Sequence, residues 1–289
     1  MIGVLASYAV DGRSGVAMRR FAEYEAGGVP FLWDSGAWSV FTGAAKVTAE
    51  DHTEWIQSLG ETSARFVALD VIGDPDATLA NYRDQRAAGV NVEPTLHYGE
   101  PLDQIDALLA CGDVDWFNVG GIVGALARPS EHRNVAAFVA AVRRRLPSEV
   151  KIHALGCIHP DIVRLVSVDA ADSTYWLNVA RFRSLPLFDT DRADWRKFPV
   201  ITTARDGRRD QTWRTAYQAG AFLRDQYGLT PDDVALHPDD NQLLAVAIES
   251  HRRFSAWAAD IHQHPVTVYL AGAVQSPVAA GELLEVPIA

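Results

Sequence analysis

Acidic residues follow short apolar stretches at several points in the chain, and paired carboxylates of this kind can perform nucleophilic or acid–base chemistry. Asp34 ends the segment FLWD and precedes Ser35, Asp70 ends the run FVALD, and Asp172 ends the segment VDAAD. Asp169 lies three residues before Asp172, and either of the two could be the reactive carboxylate. One carboxylate can attack an electrophilic carbon while another transfers a proton, so this set predicts a catalytic site.

A histidine and a glycine pair follow two further apolar stretches. His97 lies in LHYGE, three residues before a glutamate, and Gly120 and Gly121 lie in VGGIVG. Paired glycines can expose backbone N–H and C=O groups to a flat ring, whereas the Gly-x-Gly-x-x-Gly spacing of a dinucleotide site is absent. Each feature also has a structural alternative: the aspartates could cap helices, Asp70 could pair with Arg83, and a lone histidine is often structural.

The elements that must position these residues alternate between strand and helix. Repeated strand-then-helix patterns predict a parallel sheet covered by helices. Polar residues end nearly every strand, which favours an α/β fold of the TIM (β/α)8 type over a doubly wound sheet, because all strand ends of a barrel converge on one face. Strands are predicted at residues 3–6, 29–33, 65–71, 91–96, 116–119, 151–155 and 165–168, and helices at 49–59, 77–88, 102–109 and 134–146.

The pattern becomes irregular in the later part of the chain. An irregular insertion is predicted at about 175–210 and a helical region at about 212–261. The eighth strand could lie at 266–270 or at 199–202. No repeat or linker interrupts the sequence, so residues 1–289 are expected to form a single TIM-barrel-like domain with a helical C-terminal elaboration.

Composition limits the classes of partner. The 289 residues carry a net charge of −11, which argues against a general nucleic-acid coat protein. Residues 181–214 are an exception, because nine Lys or Arg and five aromatic residues are interleaved there with five Asp. Such a segment suits a nucleic-acid backbone with unstacked bases, although a solvated loop neutralised by its own aspartates is the alternative. The predicted contacts are Arg181, Arg183, Arg205, Arg208 and Arg209.

Metal, cofactor and membrane partners are not expected from the sequence. The two cysteines form no Cys-x-x-Cys pair, and His262 with His264 is the nearest approach to a metal pair. No apolar run reaches the roughly 18 residues of a membrane span, and the first residues do not resemble a secretory leader. We therefore expect a cytoplasmic protein without metal or cofactor.

The order of these segments is similar to that of one protein family. Residues 28–185 contain, in sequence, DSGAW, a strand ending in Asp70, LHYGE, VGGIVG, HALGC and VDAAD followed by RFR. This order resembles the tRNA-guanine transglycosylase superfamily, especially its shorter phage-type and DNA-modifying members. The resemblance implies a TIM barrel that replaces a guanine in nucleic acid by a 7-deazaguanine base.

The resemblance also implies roles for individual residues. Asp34 matches the family's general acid/base, and Asp172 matches the nucleophile that forms a covalent bond to the sugar. Asp70 matches the aspartate that reads the base edge, and His97 stands where the tRNA enzymes usually have a glutamine. The residues expected to bind the base are Ser35, Asp70, His97, Gly120, Gly121 and Ile122.

Two departures from the family bear on the substrate. The tRNA enzymes hold a C-terminal zinc ion with three cysteines and a histidine, which this sequence does not supply, and the chain is shorter than theirs. DNA is therefore the expected partner in preference to tRNA, together with a 7-deazaguanine base; homodimers are common in the family. The competing hypotheses are tRNA exchange, a different TIM-barrel hydrolase acting on a nucleoside or sugar, and a non-catalytic binding protein.

Overall fold

A computed structural model describes residues 1–200, 209–235 and 240–275, with side chains for all of these except 209–213, 235 and 240. Among the described residues, none of the helices is long and apolar enough to cross a bilayer. The strands are β1 (Ile2–Ser7), β2 (Phe31–Asp34), β3 (Arg65–Phe66), β4 (Thr95–His97), β5 (Trp116–Gly120), β6 (Lys151–Ala154), β7 (Ala170–Ser173), β8 (Ser184–Asp189), β9 (Asp194–Pro199) and β10 (Thr267–Ala271).

Helices connect the strands and cover the sheet. Side chains of Ser14, Thr48 and Asp74 cap three of them by accepting a hydrogen bond from the backbone in the first turn. The helices are α1 (Tyr8–Asp11), α2 (Gly15–Ala26), α3 (Ala37–Phe41), α4 (Ala49–Ser58), α5 (Pro75–Ala87), α6 (Gln104–Leu109), α7 (Val123–Leu126), α8 (His132–Arg145), α9 (Pro160–Leu165), α10 (Asn178–Phe182), α11 (Arg209–Gln218), α12 (Gly220–Tyr227), α13 (Pro231–Ala235) and α14 (Asp240–His262).

Eight parallel strands form one curled sheet of the TIM-barrel type, as the sequence predicts. Their order is β3-β2-β1-β10-β7-β6-β5-β4, and all neighbours in this order are parallel. The two ends of this order also meet: Ala68 N donates to Glu93 O at 2.9 Å, and Glu93 N donates to Phe66 O at 2.8 Å. The carboxyl ends of all eight strands therefore lie on the same face.

Alternation along the strands decides which side chains enter the barrel. Phe31 and Trp33 of β2 pack in the core between sheet and helices, whereas Leu32 belongs to a second buried cluster with Val67, Ala170 and Tyr269. Successive strand residues point to opposite faces, so this second cluster is the barrel interior. Asp34 follows Leu32 by two residues and Asp172 follows Ala170 by two, and both therefore point inward at the carboxyl ends.

The seventh and eighth strands settle two predictions. The strand predicted at 165–168 is wrong. Leu165 is the last residue of α9, residues 166–168 belong to the connection that follows, and β7 begins at Ala170. Val166 and Val168 are instead buried in the core between sheet and helices. The eighth barrel strand is β10, so of the two positions that the sequence left open, 266–270 is the one that overlaps a barrel strand.

The region predicted as an irregular insertion contains a regular hairpin. Strands β8 and β9 pair antiparallel from Ser184↔Pro199 to Asp189↔Asp194. Phe188 and Phe198 of this hairpin are buried, and Phe188 N donates a hydrogen bond of 2.6 Å to Ser250 Oγ of α14. The aromatic residues interleaved with the arginines thus mainly build a second packing layer beside the barrel.

Candidate active site

Asp34 lies at the inward-facing end of β2 and is held by the turn that follows it. Gly36 N donates to Asp34 Oδ2 at 3.0 Å. Gly36 has a φ of 86°, and a Cβ there would overlap Ala9, so this turn requires glycine. Burial, followed by the negative charges of Asp70 and Asp172, raises the pKa of Asp34 to about 7. Asp34 can therefore exist as acid or base near neutral pH.

The raised pKa of Asp34 makes the stability of the protein depend on pH. Because the folded state holds this proton more tightly than the unfolded state, whose value is near 3.8, the contribution to stability is complete below about pH 4 and is lost as the pH rises through about 7. We expect Asp34→Asn to stabilise the protein at pH 8 by about 2 to 4 kcal/mol. Urea unfolding measured at pH 4 and pH 8 tests this, since the two proteins should be equally stable at pH 4.

Asp70 joins the end of β3 to the ends of β2 and β4. Ser35 Oγ donates to Asp70 Oδ1 at 2.8 Å, and His97 Nε2 donates to Oδ2 at 2.7 Å. Asp70 neither caps α5, which is the role of Asp74, nor pairs with Arg83. Three residues from three strand ends are thus brought together as the sequence predicts.

His97 is clamped between two carboxylates. Its Nε2 contacts Asp70, and its Nδ1 lies 3.1 Å from Glu100 Oε1, while Glu100 Oε2 accepts the His97 backbone N–H at 2.9 Å. Burial alone lowers the pKa of His97, but the hydrogen bonds to Asp70 and Glu100 outweigh burial and raise it to about 9. At neutral pH the imidazole is a cation, which offsets part of the negative charge of the carboxylates at the mouth of the barrel, the face where the strands have their carboxyl ends.

Helix α5 fixes the backbone that carries Asp70. Gln85 Oε1 accepts the Leu69 N–H at 2.8 Å, and Asn81 Nδ2 donates to the Leu69 carbonyl at 3.1 Å. Gln85 Nε2 in turn lies 3.1 Å from Nδ1 of the buried His52. Both backbone polar groups of Leu69, the residue before Asp70, are therefore satisfied by side chains, which limits how far the Asp70 carboxylate can move.

The described residues hold Asp172 through one carboxylate oxygen, Oδ1. His153 Nε2 donates to Oδ1 at 3.1 Å, and Gly156 N donates to the same oxygen at 2.7 Å. These bonds leave Oδ2 outside both contacts. Asp169 lies at the other end of the barrel, where its Oδ2 accepts the Ile152 N–H at 2.9 Å, so the structure assigns the mouth position to Asp172.

His153 is a site residue that sequence reasoning missed. It is fully buried, and its ring stacks on Tyr269 with centroids 5.5 Å apart. The segment KIHA contains the signal: Ile152 and Ala154 pack outward, so alternation points His153 into the barrel. Its hydrogen bond to Oδ1 helps to position Asp172.

The glycine pair after β5 accommodates His97. A Cβ on Gly120 would lie 3.0 Å from His97 Cδ2, and one on Gly121, whose φ is 71°, would lie 3.2 Å from His97 Cβ. The Gly120 carbonyl accepts the Tyr98 N–H at 2.9 Å. Ile122 is fully buried. Contact of these three residues with a base stays a prediction. Because the Ile122 side chain is fully buried, any such contact would be made by backbone atoms.

The arginines of the segment 181–214, which include the five predicted nucleic-acid contacts, differ in exposure and pairing. Arg181 is exposed at the end of α10, and Arg183 is half-buried. Arg192 and Arg196, by contrast, lie 3.8 and 3.4 Å from the buried Asp189. Arg205 and Arg208 lie outside the described residues, as does the side chain of Arg209. Phe182, beside Arg181, is 71% exposed.

One cavity reaches the candidate site at Asp70, whereas a wider cavity and a group of metal-ligating side chains contain none of the site carboxylates. A cavity of about 260 Å³ is lined by Asp70, Leu69 and Phe41. A wider one of about 820 Å³ opens at the opposite end of the barrel, near Ser63 and Asn91. In the part of the chain that the structure describes, the one group of three metal-ligating side chains is His132, His159 and Asp161.

No protein-family model matches the chain, and no curated protein matches it.

Proposed function

We propose that this protein exchanges a guanine in nucleic acid, DNA in preference to tRNA, for a 7-deazaguanine base through a covalent bond between Asp172 and the sugar. The observation that carries the proposal is the pair of inward carboxylates on β2 and β7. One of them holds a proton near neutral pH, and the other has an oxygen outside its internal hydrogen bonds. Two strands, β1 and β10, separate them in the sheet order.

In the first half-reaction Asp172 Oδ2 attacks C1′ of the nucleotide. The bond from C1′ to guanine N9 breaks, its electron pair stays on the base, and the proton of Asp34 neutralises the leaving guanine. His153 and Gly156 hold Oδ1 during this step. The product is an ester between Asp172 and the sugar, as in retaining glycosidases.

In the second half-reaction Asp34 acts as a base. It takes the N9 proton of the incoming 7-deazaguanine, whose nitrogen attacks C1′ and releases the Asp172 carboxylate. Asp34 thus ends protonated and Asp172 ends ionised, which restores the starting state. A carboxyl group that changes its protonation state near neutral pH suits both steps.

Asp70 is the candidate reader of the base edge. Each carboxylate oxygen can accept about two hydrogen bonds, and each oxygen of Asp70 accepts one from the protein. One more hydrogen bond per oxygen could therefore come from N1–H and the exocyclic amine of guanine. Both oxygens already face donors, Ser35 Oγ and His97 Nε2, so Asp70 acts as an acceptor in this arrangement.

Trp38 is the aromatic residue best placed to stack on a nucleotide outside the barrel. It is 66% exposed and lies four residues after Asp34, whereas Trp33 is fully buried. Phe41 is 60% exposed, with its ring 5.8 Å from that of Trp38. A target base must leave its stack to reach a barrel mouth, and an exposed ring can replace part of the lost stacking.

We expect Trp38→Ala to weaken DNA binding by about 5- to 100-fold, since base–aromatic stacking contributes about 1 to 3 kcal/mol. Fluorescence anisotropy with a labelled duplex measures the change. Trp38→Phe keeps an aromatic face and should retain most of the affinity. Equal affinity of wild type and Trp38→Ala would remove this residue from the interface.

The proposal is tested by base exchange on two nucleic acids. Duplex DNA or tRNA carrying labelled guanine is incubated with the protein and 7-cyano-7-deazaguanine, and release of label is measured. Release from DNA alone supports the proposal as stated, and release from tRNA alone would transfer it to RNA. Absence of release from both, with a folded protein, would refute base exchange and favour a hydrolase acting on a free nucleoside or sugar.

A further inference from the structure

Two histidines and an aspartate meet where two neighbouring strand-to-helix connections leave the barrel. His132 begins α8, which follows β5, and His159 and Asp161 lie at the start of α9, which follows β6. One donor atom from each of the three residues lies within 4.8 Å of the other two. None of the three belongs to the carboxylate site described above.

The ring of His132 is oriented with a lone pair toward Asp161. Its Nε2 lies 3.1 Å from the Leu126 carbonyl oxygen, which can only accept, so Nε2 carries the hydrogen. In the neutral ring Nδ1 therefore carries the lone pair, and it lies 3.9 Å from Asp161 Oδ2. A histidine whose second nitrogen donates to a backbone carbonyl is the usual arrangement around a protein-bound metal ion.

His159 faces the same point and has an unsatisfied nitrogen. Its ring centroid lies 4.2 Å from that of His132. Its Nδ1 is buried and has no hydrogen-bond partner among the described residues. A buried nitrogen without a partner is unfavourable. A metal ion bound through this nitrogen would supply the missing partner. Asp161 Oδ1 lies 3.3 Å from Arg164 Nη1, whereas Asp161 Oδ2 is the oxygen that faces His132.

We propose that His132, His159 and Asp161 bind one divalent first-row transition-metal ion, with Zn²⁺ as the best match. Two imidazoles and a carboxylate are a donor set that Zn²⁺ accepts, at about 2.0 to 2.2 Å per bond, whereas Mg²⁺ and Ca²⁺ prefer oxygen ligands. Tetrahedral bonds of this length place donors about 3.4 Å apart. The side chain of Asp161 is 55% exposed, so it is free to move the short distance needed.

Such an ion would join the connection after β5 to the connection after β6. The second of these carries Gly156, whose N–H holds Asp172, so the ion would stiffen a loop that positions the carboxylate. Three protein ligands leave a fourth position for water. This inference rests on the three side chains alone and stands or falls independently of base exchange.

Calorimetric titration of the chelator-treated, full-length protein with Zn²⁺ tests the site. We expect one ion per chain, with binding weakened at least 10-fold in both Asp161→Asn and His159→Gln. Circular dichroism checks that each variant is folded, and the exposed position of Asp161 makes its variant the safer of the two. Titration with Co²⁺ should produce visible absorption bands in wild type that both variants lose.

The pair His262 and His264, whose rings stack 5.6 Å apart, supplies the matched control. His264→Ala should bind Zn²⁺ as wild type does. Loss of binding in His264→Ala but not in the two site variants would overturn the proposal, as would the absence of Zn²⁺ binding by wild type. Equal affinity for Mg²⁺ would overturn the assignment to a transition metal.

Discussion

Replacing Asp172 by asparagine is expected to lower the rate of base exchange by at least about 10³-fold, because an amide cannot serve as the nucleophile that captures C1′. The substitution changes no volume, and the amide oxygen can still accept the hydrogen bonds that His153 and Gly156 donate to Oδ1. The fold should therefore persist. Release of labelled guanine, followed over time with equal amounts of folded protein, measures the effect.

A matched control is available three residues away. Asp169→Asn changes the same side chain at the opposite end of the barrel, where Asp169 supports the start of β6. It should leave the exchange rate within about 2-fold of wild type, because Asp169 does not reach the mouth, while unfolding occurs at lower urea concentration. Equal loss of activity in both variants would show that the Asp172 result reflects damage to the fold.

The covalent step has its own readout. Wild-type protein denatured during turnover with DNA should carry the nucleic acid on Asp172, visible as a slower band on a denaturing gel. Asp172→Asn should give no such band. An active Asp172→Asn variant, or an adduct that maps to another residue, would remove Asp172 from the nucleophile role.

The barrel could be predicted from the sequence because its signal is local and repeated. The strand predicted at 29–33 overlaps β2 (Phe31–Asp34), because the apolar run that ends in Asp34 is visible in the sequence. Strand β7 escaped prediction because AADS has no β-branched residue, whereas the nearby valines at 166 and 168 pack outside the sheet. The burial of small alanines inside a narrow barrel depends on the neighbouring strands, which no local window contains.

The residues of the candidate site differ in the same way, because the sequence predicts the carboxylates but not the side chains that hold them. Asp34, Asp70 and Asp172 could be named because each ends an apolar run, and two of them lie in phase with inward-facing residues. What holds them could not be named. His153 and Gln85 act through partners on other elements, and such pairings arise only when the barrel closes. The contact of Glu100 with His97 is local, because the two residues are three apart in the chain.

A network of polar side chains inside the barrel, beneath the site, could not be predicted from the sequence either. Arg65 donates to both carboxylate oxygens of Glu93, at 2.5 and 2.7 Å, and to Tyr269 Oη at 3.0 Å. Asn118 Nδ2 donates to Glu93 as well, at 3.2 Å. Buried charges must be paired in this way, but the sequence separation between these residues hides the pairing.

The pH dependence of the two half-reactions is expected to have opposite signs. Attack on the nucleic acid requires protonated Asp34, whose pKa is raised to about 7, first by burial and then by Asp70 and Asp172. The value of kcat/KM for nucleic acid should therefore be constant at low pH and fall about tenfold per pH unit above about pH 7. For the incoming base, kcat/KM should rise with pH, because that step needs the Asp34 carboxylate.

Formation of the ester also changes the field at Asp34. Once Asp172 is esterified it carries no charge, so one of the causes that raise the pKa of Asp34 is removed. The rising profile for the incoming base should consequently have its midpoint below that of the falling profile for nucleic acid. This ordering favours the acid before guanine leaves and the base afterwards, which is the sequence that exchange requires.

Steady-state kinetics from pH 5.5 to 8.5, with each substrate varied in turn, measures both profiles. Asp34→Asn should be at least about 10²-fold slower, and its residual rate should lose the inflection near pH 7. An inflection that persists in Asp34→Asn would assign the titration to another group, with His97 excluded by its pKa of about 9. Two falling profiles would mean that Asp34 acts only as an acid, and the proton of the incoming base would then have to leave by way of another residue or water.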